Sequence, residues 1–375
     1  MRIALLANLK QNAPRWPGMA ADRWDDLDSP RTIDAILGAL RRTGNEAEFF
    51  EASILPPHSL IEKLMVYKPD LCFNIAEGHW GDGREAQIPA VLEMLRIPYT
   101  GSQVMTLALS LDKPMTKRVL TYHGLPTPEF QVFERASDPI NRDLLDEHGQ
   151  ELRFPLFVKP SREGTSVGIS ASSVVRTVAE LRDRVAEQLE RYNQPILVEH
   201  YIHGRELTVG IIGNLEATAA RRINERTLPL ELPPTLDVFP PMEILTEDYD
   251  VSEAGIYTNR IKTELADDFR YRCPADIPPA LDQQLRLLAA AVFRVTGCKD
   301  VARVDFRLDS ANGDKPYILE VNPLPGLNPA YSDLCLQTAA VEWSYDDLIQ
   351  AIVTEACWRY DMIKSREHHA ARTAL

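Results

Sequence analysis

Apolar and polar positions alternate in two runs of the chain, residues 301–309 and 315–322. Because neighbouring side chains on a strand point to opposite faces, the alternation predicts two strands joined by a hairpin through Ser310–Lys315. The face predicted to turn toward a core carries Val304, Phe306, Leu308, Leu319 and Val321. The other face carries Arg303, Asp305, Arg307, Glu320 and Asn322. The hairpin is therefore expected to gather these polar side chains into one patch.

Strand and helix patterns alternate through the first hundred residues. Short apolar runs predict strands at 3–7, 46–52 and 70–76. A helix is predicted from Pro30, with Ser29 as its N-cap and Gly44 as its stop, and another over 84–96. This order is typical of a mostly parallel sheet. The absence of a G-x-G-x-x-G sequence argues against a dinucleotide site.

Two further units follow, with more strands per helix. Helices are predicted over 113–124, from 177 through at least 189, over 279–296 and over 344–363. Strands are predicted over 155–159, 196–199 and 206–213 as well as in the hairpin. The predicted domains are 1–111, an N-terminal α/β domain; 112–198, a central domain; 199–363, a C-terminal domain; and 364–375, a tail. The expected fold class is α/β, with α+β character in the second and third domains.

Charge and cysteine content narrow the function classes. The 375 residues include 41 basic and 55 acidic ones, a net charge of −14, which disfavours nucleic acid and anionic membranes as partners. Five scattered cysteines form no C-x-x-C pair and are typical of reduced thiols. No apolar run reaches the length of a membrane span or a signal peptide. We therefore expect a cytoplasmic protein that acts on small molecules.

The polar face of the hairpin has the composition of a metal site. Asp305 and Glu320 supply carboxylates and Asn322 an amide oxygen, the ligands that a hard divalent cation prefers, with Arg303 beside them. The alternative is an exposed sheet face whose charges pair across strands. The continuation Asn322-Pro-Leu-Pro-Gly326 favours the metal site, because it places the amide in a rigid turn at a strand end.

A loop rich in glycine and hydroxyl groups follows the strand that ends at Lys159. Gly164 lets the backbone approach a ligand, and Ser161, Thr165 and Ser166 supply donors for phosphate oxygens, although small polar loops are usually only turns. The loop is not a P-loop.

Charged residues near this loop support a nucleotide site, although each has a simpler interpretation. Lys159 could be a lysine that reaches solvent from a strand end. Lys113 lies at a helix N-terminus, where a cation needs a nearby anion. Glu199 ends an apolar strand and Glu206 begins the next. They suit a nucleotide's amino group or ribose hydroxyls, or are solvated strand ends. Together the residues predict a nucleoside triphosphate site.

Several motifs in one order resemble the D-alanine:D-alanine ligase family of the ATP-grasp superfamily. They are Tyr99-Thr-Gly-Ser102, Leu111-Asp-Lys113, Gly124-Leu-Pro-Thr-Pro128, Val158–Gly168, Glu199, Gly204–Val209, Gly297-Cys-Lys299, Arg303-Val-Asp305 and Glu320-Val-Asn322. The resemblance implies a three-domain ATP-grasp fold with ATP between the central and C-terminal domains. It also implies that a carboxylate, activated as an acyl phosphate, is joined to an amine.

The resemblance implies a role for each matching residue. Lys113 and Lys159 would bind ATP phosphates under the loop of Ser161, Gly164, Thr165 and Ser166. Glu199 and Glu206 would contact adenine and ribose. Asp305, Glu320 and Asn322 would hold Mg²⁺, or Mn²⁺ in its place. Arg303 and Lys159 would act in catalysis, Arg303 by stabilising the tetrahedral intermediate. Relatives of this kind use small amino acids and often form homodimers.

The resemblance breaks in the N-terminal region, which in the family binds substrate. The glycine-rich Ser-x-Glu signature is replaced by Ala7–Pro14, and substrate contacts are assigned only to Gly326, Ser332, Tyr257 and Lys262. We therefore expect an ATP-dependent carboxylate–amine ligase, but the resemblance does not identify which amino acids it joins. The alternatives are a ligase for another small acid, a non-catalytic ATP-binding regulator, and a phosphotransferase that stops at a phosphorylated product.

Overall fold

A parallel sheet forms the N-terminal part of the chain, as predicted. The computed structural model describes residues 1–53, 59–145, 152–215, 231–245 and 271–364. Strands β1 Arg2–Ala7, β2 Glu46–Glu51 and β3 Leu71–Asn74 pair in the order β2-β1-β3. Helices α1 Pro30–Arg42 and α2 Leu60–Tyr67 connect them, and α3 Gln87–Leu95 and α4 Val104–Leu111 follow. Alternate β1 residues enter two separate apolar clusters, so both faces of the sheet are covered.

The central part is a four-stranded antiparallel sheet. Its strands are β4 Phe130–Phe133, β5 Leu156–Pro160, β6 Val174–Val175 and β7 Ile196–His200, in the order β4-β7-β5-β6. Helix α5 Lys113–Tyr122 precedes the sheet, and the side chain of its N-cap residue, Asp112, accepts the Met115 N–H. Helix α6 Val178–Tyr192 packs Leu181 and Val185 against the strands. This sheet presents Lys159 and Glu199 on adjacent strands.

A six-stranded sheet forms the C-terminal part. Its strands are β8 Glu206–Gly213, β9 Leu236–Val238, β10 Met242–Ile244, β11 Tyr271–Arg272, β12 Asp300–Asp309 and β13 Lys315–Asn322. The path β11-β10-β8-β12-β13 is antiparallel, and β9 pairs with β8 beside β10. Helix α7 Pro279–Thr296 packs on it through an apolar stripe, and α8 Asp333–Ala339 and α9 Tyr345–Arg359 follow.

The predicted hairpin forms, but a β-bulge changes which residues face the core. Asp305 pairs with Glu320, and the next residue of β12, Phe306, pairs with Ile318, so Leu319 is the extra residue. The prediction that Leu319 faces the core is therefore wrong. Ile318 is fully buried instead, and Leu319 lies beside Glu320 on a cavity wall. Bulges of this kind re-aim side chains next to functional sites.

A buried ion pair joins the N-terminal and C-terminal sheets. Arg359 at the end of α9 donates from Nη2 to Asp300 Oδ2 at 2.7 Å and to the Tyr99 carbonyl at 2.7 Å. Asp300 also accepts the Gly101 N–H at 2.8 Å. Residues of α1 and α9 share one apolar cluster. The two parts therefore pack directly against each other.

Other differences from the predicted elements are local. The terminal helix ends at Arg359, short of residue 363, and α8 lies in a stretch where no helix was predicted. The helix predicted over 84–96 begins with a 3-10 turn at Arg84–Ala86. None of the helices in the described ranges is long and apolar enough to cross a membrane. The domain limits remain predictions, and the tail after Lys364 lies outside the described residues.

Candidate active site

The polar end of the hairpin carries a connected set of ion pairs and hydrogen bonds. Arg303 donates from Nε and Nη2 to the two carboxylate oxygens of Asp305, both at 2.9 Å. Asp305 also accepts from Thr208 Oγ1 at 2.6 Å and Asn322 Nδ2 at 2.9 Å. Nη1 of Arg303 lies 3.2 Å from Asp333. Burial alone would lower the pKa of Arg303, but the two carboxylates raise it, so its charge is retained.

Glu320 completes the oxygen-rich set. It pairs with Asp305 across the hairpin, and its side chain is 25% exposed. Its Oε2 lies 3.3 Å from Nζ of Lys113, at the first turn of α5. Within the described ranges, no three His, Cys, Asp or Glu side chains form a metal-binding group. Two carboxylates and the Asn322 amide oxygen nevertheless fit the ligand chemistry of one hard divalent cation.

Two lysines enclose one buried carboxylate on the central sheet. Glu199 lies 2.6 Å from Lys159 Nζ through Oε1 and 2.6 Å from Lys117 Nζ through Oε2. Burial alone would raise the pKa of Glu199, but the two ammonium groups lower it. Burial lowers the pKa of Lys117 to about 8. With both lysines protonated the group has one excess positive charge, which suits phosphate oxygens.

A cavity between the central and C-terminal sheets adjoins this group. Its apolar wall includes Phe157, Ile169, Tyr201 and Leu319, and its polar wall includes Lys159, Ser166, Glu199, Glu206 and Glu320. The rings of Phe157 and Tyr201 stack, with centroids 6.1 Å apart and planes at 21°. Arg307 Nη1 lies 3.4 Å from Glu206. Flat apolar walls with carboxylates at the rim suit a heteroaromatic base and its sugar.

The loop over 161–168 reaches both this cavity and a second one. Thr165 and Ser166 have φ of 45° and 57°, a conformation that turns successive N–H groups toward an anion. Ser166 lines the first cavity, whereas Gly164 and Thr165 line the second. The Ser161 hydroxyl is buried and makes no hydrogen bond to the rest of the described structure.

We expect Gly168→Ala to destabilise this loop. Gly168 has φ of 77°, and a Cβ there would lie 2.7 Å from Cγ of Pro160. Left-handed strain and overpacking together should lower the free energy of unfolding by about 2–4 kcal/mol. Gly313→Ala is the control, because Gly313 has φ of 62° but no atom within 4 Å of its Cβ position. Chemical denaturation measures both variants; equal losses would show that contact with Pro160 is unimportant.

The second cavity lies on the other side of Glu320. Its lining includes Lys113, Arg303, Asn322, Gly326 and Ser332. It also includes carboxylates from the N-terminal part, namely Asp25, Asp26, Asp28, Glu77 and Glu85. Ser332 Oγ accepts the Asn328 N–H at 2.9 Å, and a Cβ at Gly326 would lie 2.9 Å from the same oxygen. The structure therefore brings Gly326 and Ser332 to this cavity.

Two predicted substrate residues lie outside the described ranges, and several residues of the site were not predicted. Tyr257 and Lys262 lie outside the described residues, so their roles stay predictions. Sequence reasoning missed Lys117, whose only signal is its position one helical turn after Lys113. It also missed the carboxylates of the second cavity, although the run 22–28 contains four aspartates.

Comparisons with known proteins agree with this architecture. The family described as D-ala D-ala ligase C-terminus matches residues 119–229 and 235–354. A D-alanine–D-alanine ligase of Bordetella avium is 33% identical over 320 residues, which cover 85% of this chain and 86% of that protein. An uncharacterized protein of Sinorhizobium fredii is 32% identical over 339 residues, 88% of each chain.

A solved structure shares the fold. The crystal structure of D-alanine–D-alanine ligase from Bacillus anthracis complexed with ATP superimposes with a TM-score of 0.67 at 21% identity. The match covers 96% of this chain and 99% of that chain. The predicted ATP-grasp fold is therefore confirmed.

Proposed function

We propose that this chain, which belongs to the D-alanine–D-alanine ligase family of the ATP-grasp superfamily, is an ATP-dependent ligase. It joins two small amino acids by an amide bond. The proposal rests on one observation, that Glu320 lines both cavities. One has the walls and charges suited to a nucleotide, and the other opens beside Arg303. A phosphoryl group at their junction would reach a substrate in the second cavity.

The nucleotide is assigned to the cavity of Phe157 and Tyr201. Glu199 and Glu206 are assigned to the base amino group and the ribose, and Lys159 to the phosphates. Lys117 is assigned to the phosphates together with Lys159, because both ammonium groups lie 2.6 Å from Glu199. Lys113, whose Nζ lies 3.3 Å from Glu320, is assigned to the γ-phosphate, the group that is transferred.

Asp305, Glu320 and Asn322 are the residues that would hold Mg²⁺, or Mn²⁺. Bound there, the cation would neutralise charge on the phosphate oxygens. Arg303 keeps Asp305 oriented through its paired hydrogen bonds. It also presents a permanent positive charge on the wall of the second cavity.

The chemistry follows from these placements. A substrate carboxylate oxygen attacks the γ-phosphorus of ATP, the bond to the bridging oxygen breaks, and ADP and an acyl phosphate form. The amine nitrogen of the second substrate then attacks the acyl carbon, loses a proton, and expels phosphate. Lys113, Lys117 and Lys159 screen the phosphoryl charge, and Arg303 faces the oxyanion of the tetrahedral intermediate.

Phosphate release across a panel of amino acids, singly and in pairs, tests the proposal. With Mg²⁺ and ATP present, we expect release only when a carboxylate and an amine are both supplied, with the amide detected by mass spectrometry. ADP formation with an acid alone, without free phosphate, would indicate a phosphotransferase that stops at a phosphorylated product. Neither ADP nor free phosphate with any pair would indicate an ATP-binding regulator. Asp305→Asn is expected to abolish release.

We also propose that the protein is cytoplasmic. The five cysteines are free, and four of them are buried, which fits the reducing cytoplasm where ATP is available. A homodimer remains a proposal from the family resemblance; size-exclusion chromatography with light scattering tests it.

A further inference from the structure

The second cavity has more carboxylates than its cations can neutralise. Asp26, Asp28, Glu77 and Glu85 line it, and Arg84 interacts with three of them, Asp26, Glu77 and Glu85. Arg84 forms ion pairs with Asp26, and with Glu77 at 3.6 Å, and its side chain is only 4% exposed. When all four carboxylates are ionised they exceed Arg84 by three charges.

The other acids of the cavity have cations of their own. These pairs are Asp25 with Lys10, Glu163 with Arg23, Glu320 with Lys113, and Asp333 with Arg303. Burial, with smaller contributions from neighbouring acids, raises the pKa of Asp28 and of Glu85 to about 7 and raises that of Glu77. The acids of this cavity that have no cation of their own among the described residues are therefore Asp28, Glu77 and Glu85, with Asp26 paired to Arg84, while Arg303 is shared between Asp333 and Asp305.

Asp26 shows independently that a donor is missing. Its side chain is 2% exposed, and Oδ1 makes no hydrogen bond to any described residue, although Oδ2 pairs with Arg84. A buried carboxylate oxygen without a donor is costly, and a ligand ammonium at this wall would remove that cost.

The wall that holds Asp26 is fixed to the loop over 161–168. Asp22 accepts the Gly168 N–H at 3.0 Å and the Tyr192 hydroxyl at 2.9 Å. A Cβ at Gly164 would contact Asp26 Cβ at 3.5 Å. The free volume of about 180 Å³ far exceeds the ~10–15 Å³ that one water needs, so a small molecule fits.

We infer that this cavity binds a diamino acid, a substrate with two ammonium groups, in preference to a neutral amino acid. The inference rests on the proposed ligase function and names the substrate class of the same site. A neutral amino acid brings one ammonium group and one carboxylate and adds no net charge, whereas a diamino acid adds one positive charge to the acidic wall. The substrate carboxylate then lies toward Lys113 and Arg303, where it is activated.

Ornithine and norvaline provide a matched pair, because they have the same five-carbon chain and differ by one terminal ammonium group. In the phosphate-release assay of the full-length protein, we expect kcat/KM for ornithine to exceed that for norvaline by about tenfold or more. Asp26→Asn should reduce this ratio about tenfold. Glu190→Gln, an exposed acid on α6, is the control and should preserve the ratio.

The outcomes separate the two proposals. Turnover with a ratio near one would overturn the diamino-acid inference and leave the ligase function standing. No turnover with any pair would overturn both. Calorimetric titration of ornithine into the protein with Mg²⁺ and a non-hydrolysable ATP analogue gives a second readout; binding no tighter than that of norvaline would overturn the inference. If Asp26→Asn fails to fold, Asp28→Asn takes its place.

Discussion

Arg303→Ala is expected to lower the rate of amide formation by about 10²–10³-fold while ATP still binds. The guanidinium lies on the wall of the second cavity, whereas the cavity assigned to the nucleotide does not include it. Its loss removes the donor facing the oxyanion. Single-turnover product formation and calorimetric ATP binding measure the two effects separately.

Two control variants accompany this test. Arg303→Lys keeps a charge but loses the paired hydrogen bonds to Asp305, so it should recover only part of the rate. Arg205 forms a similar paired contact with the buried Glu243, at 2.6 and 2.7 Å, on the same sheet. Arg205→Ala should leave turnover nearly unchanged. Loss of ATP binding in Arg303→Ala alone would contradict the assignment.

Lys117→Met is expected to weaken ATP binding by tenfold or more and also to destabilise the fold. Removing one partner of a buried ion pair typically costs about 3–5 kcal/mol, because the remaining charge stays buried. Glu199 would keep Lys159, so the loss should lie at the lower end of that range. Thermal unfolding with and without ATP measures both effects.

A double variant distinguishes charge from packing. Lys117→Met combined with Glu199→Gln removes the unpaired charge and should recover part of the stability, giving a coupling energy of about 0.5–3 kcal/mol. ATP binding should remain weak in the double variant. Normal ATP affinity in Lys117→Met would show that Lys159 and Lys113 bind the phosphates without it.

The sequence predicted the main elements of the site because each had a local signal. Strand alternation placed Arg303, Asp305, Glu320 and Asn322 on one face, and the structure brings them together. The bulge at Leu319 carried no such signal. It depends on how β13 pairs with β12, a contact that periodicity along one strand does not encode.

Other parts of the site depend on tertiary contacts. Lys117 reads as an ordinary helix residue until α5 packs beside β7 and Glu199. The carboxylates of the second cavity come from two loops about fifty residues apart, held together by Arg84 and by the packing of Trp24 against His79 and Trp80. Only the folded chain shows that they share one cavity.

The fate of the substrate's carboxylate oxygen tests the ligase proposal most directly. The experiment uses an acid substrate from the panel labelled with heavy oxygen in its carboxylate, together with ATP, Mg²⁺ and the amine partner. An acyl phosphate carries one carboxylate oxygen to phosphorus, so we predict that the released phosphate contains one labelled oxygen per amide formed. Unlabelled phosphate, released in proportion to product, would contradict the proposed mechanism.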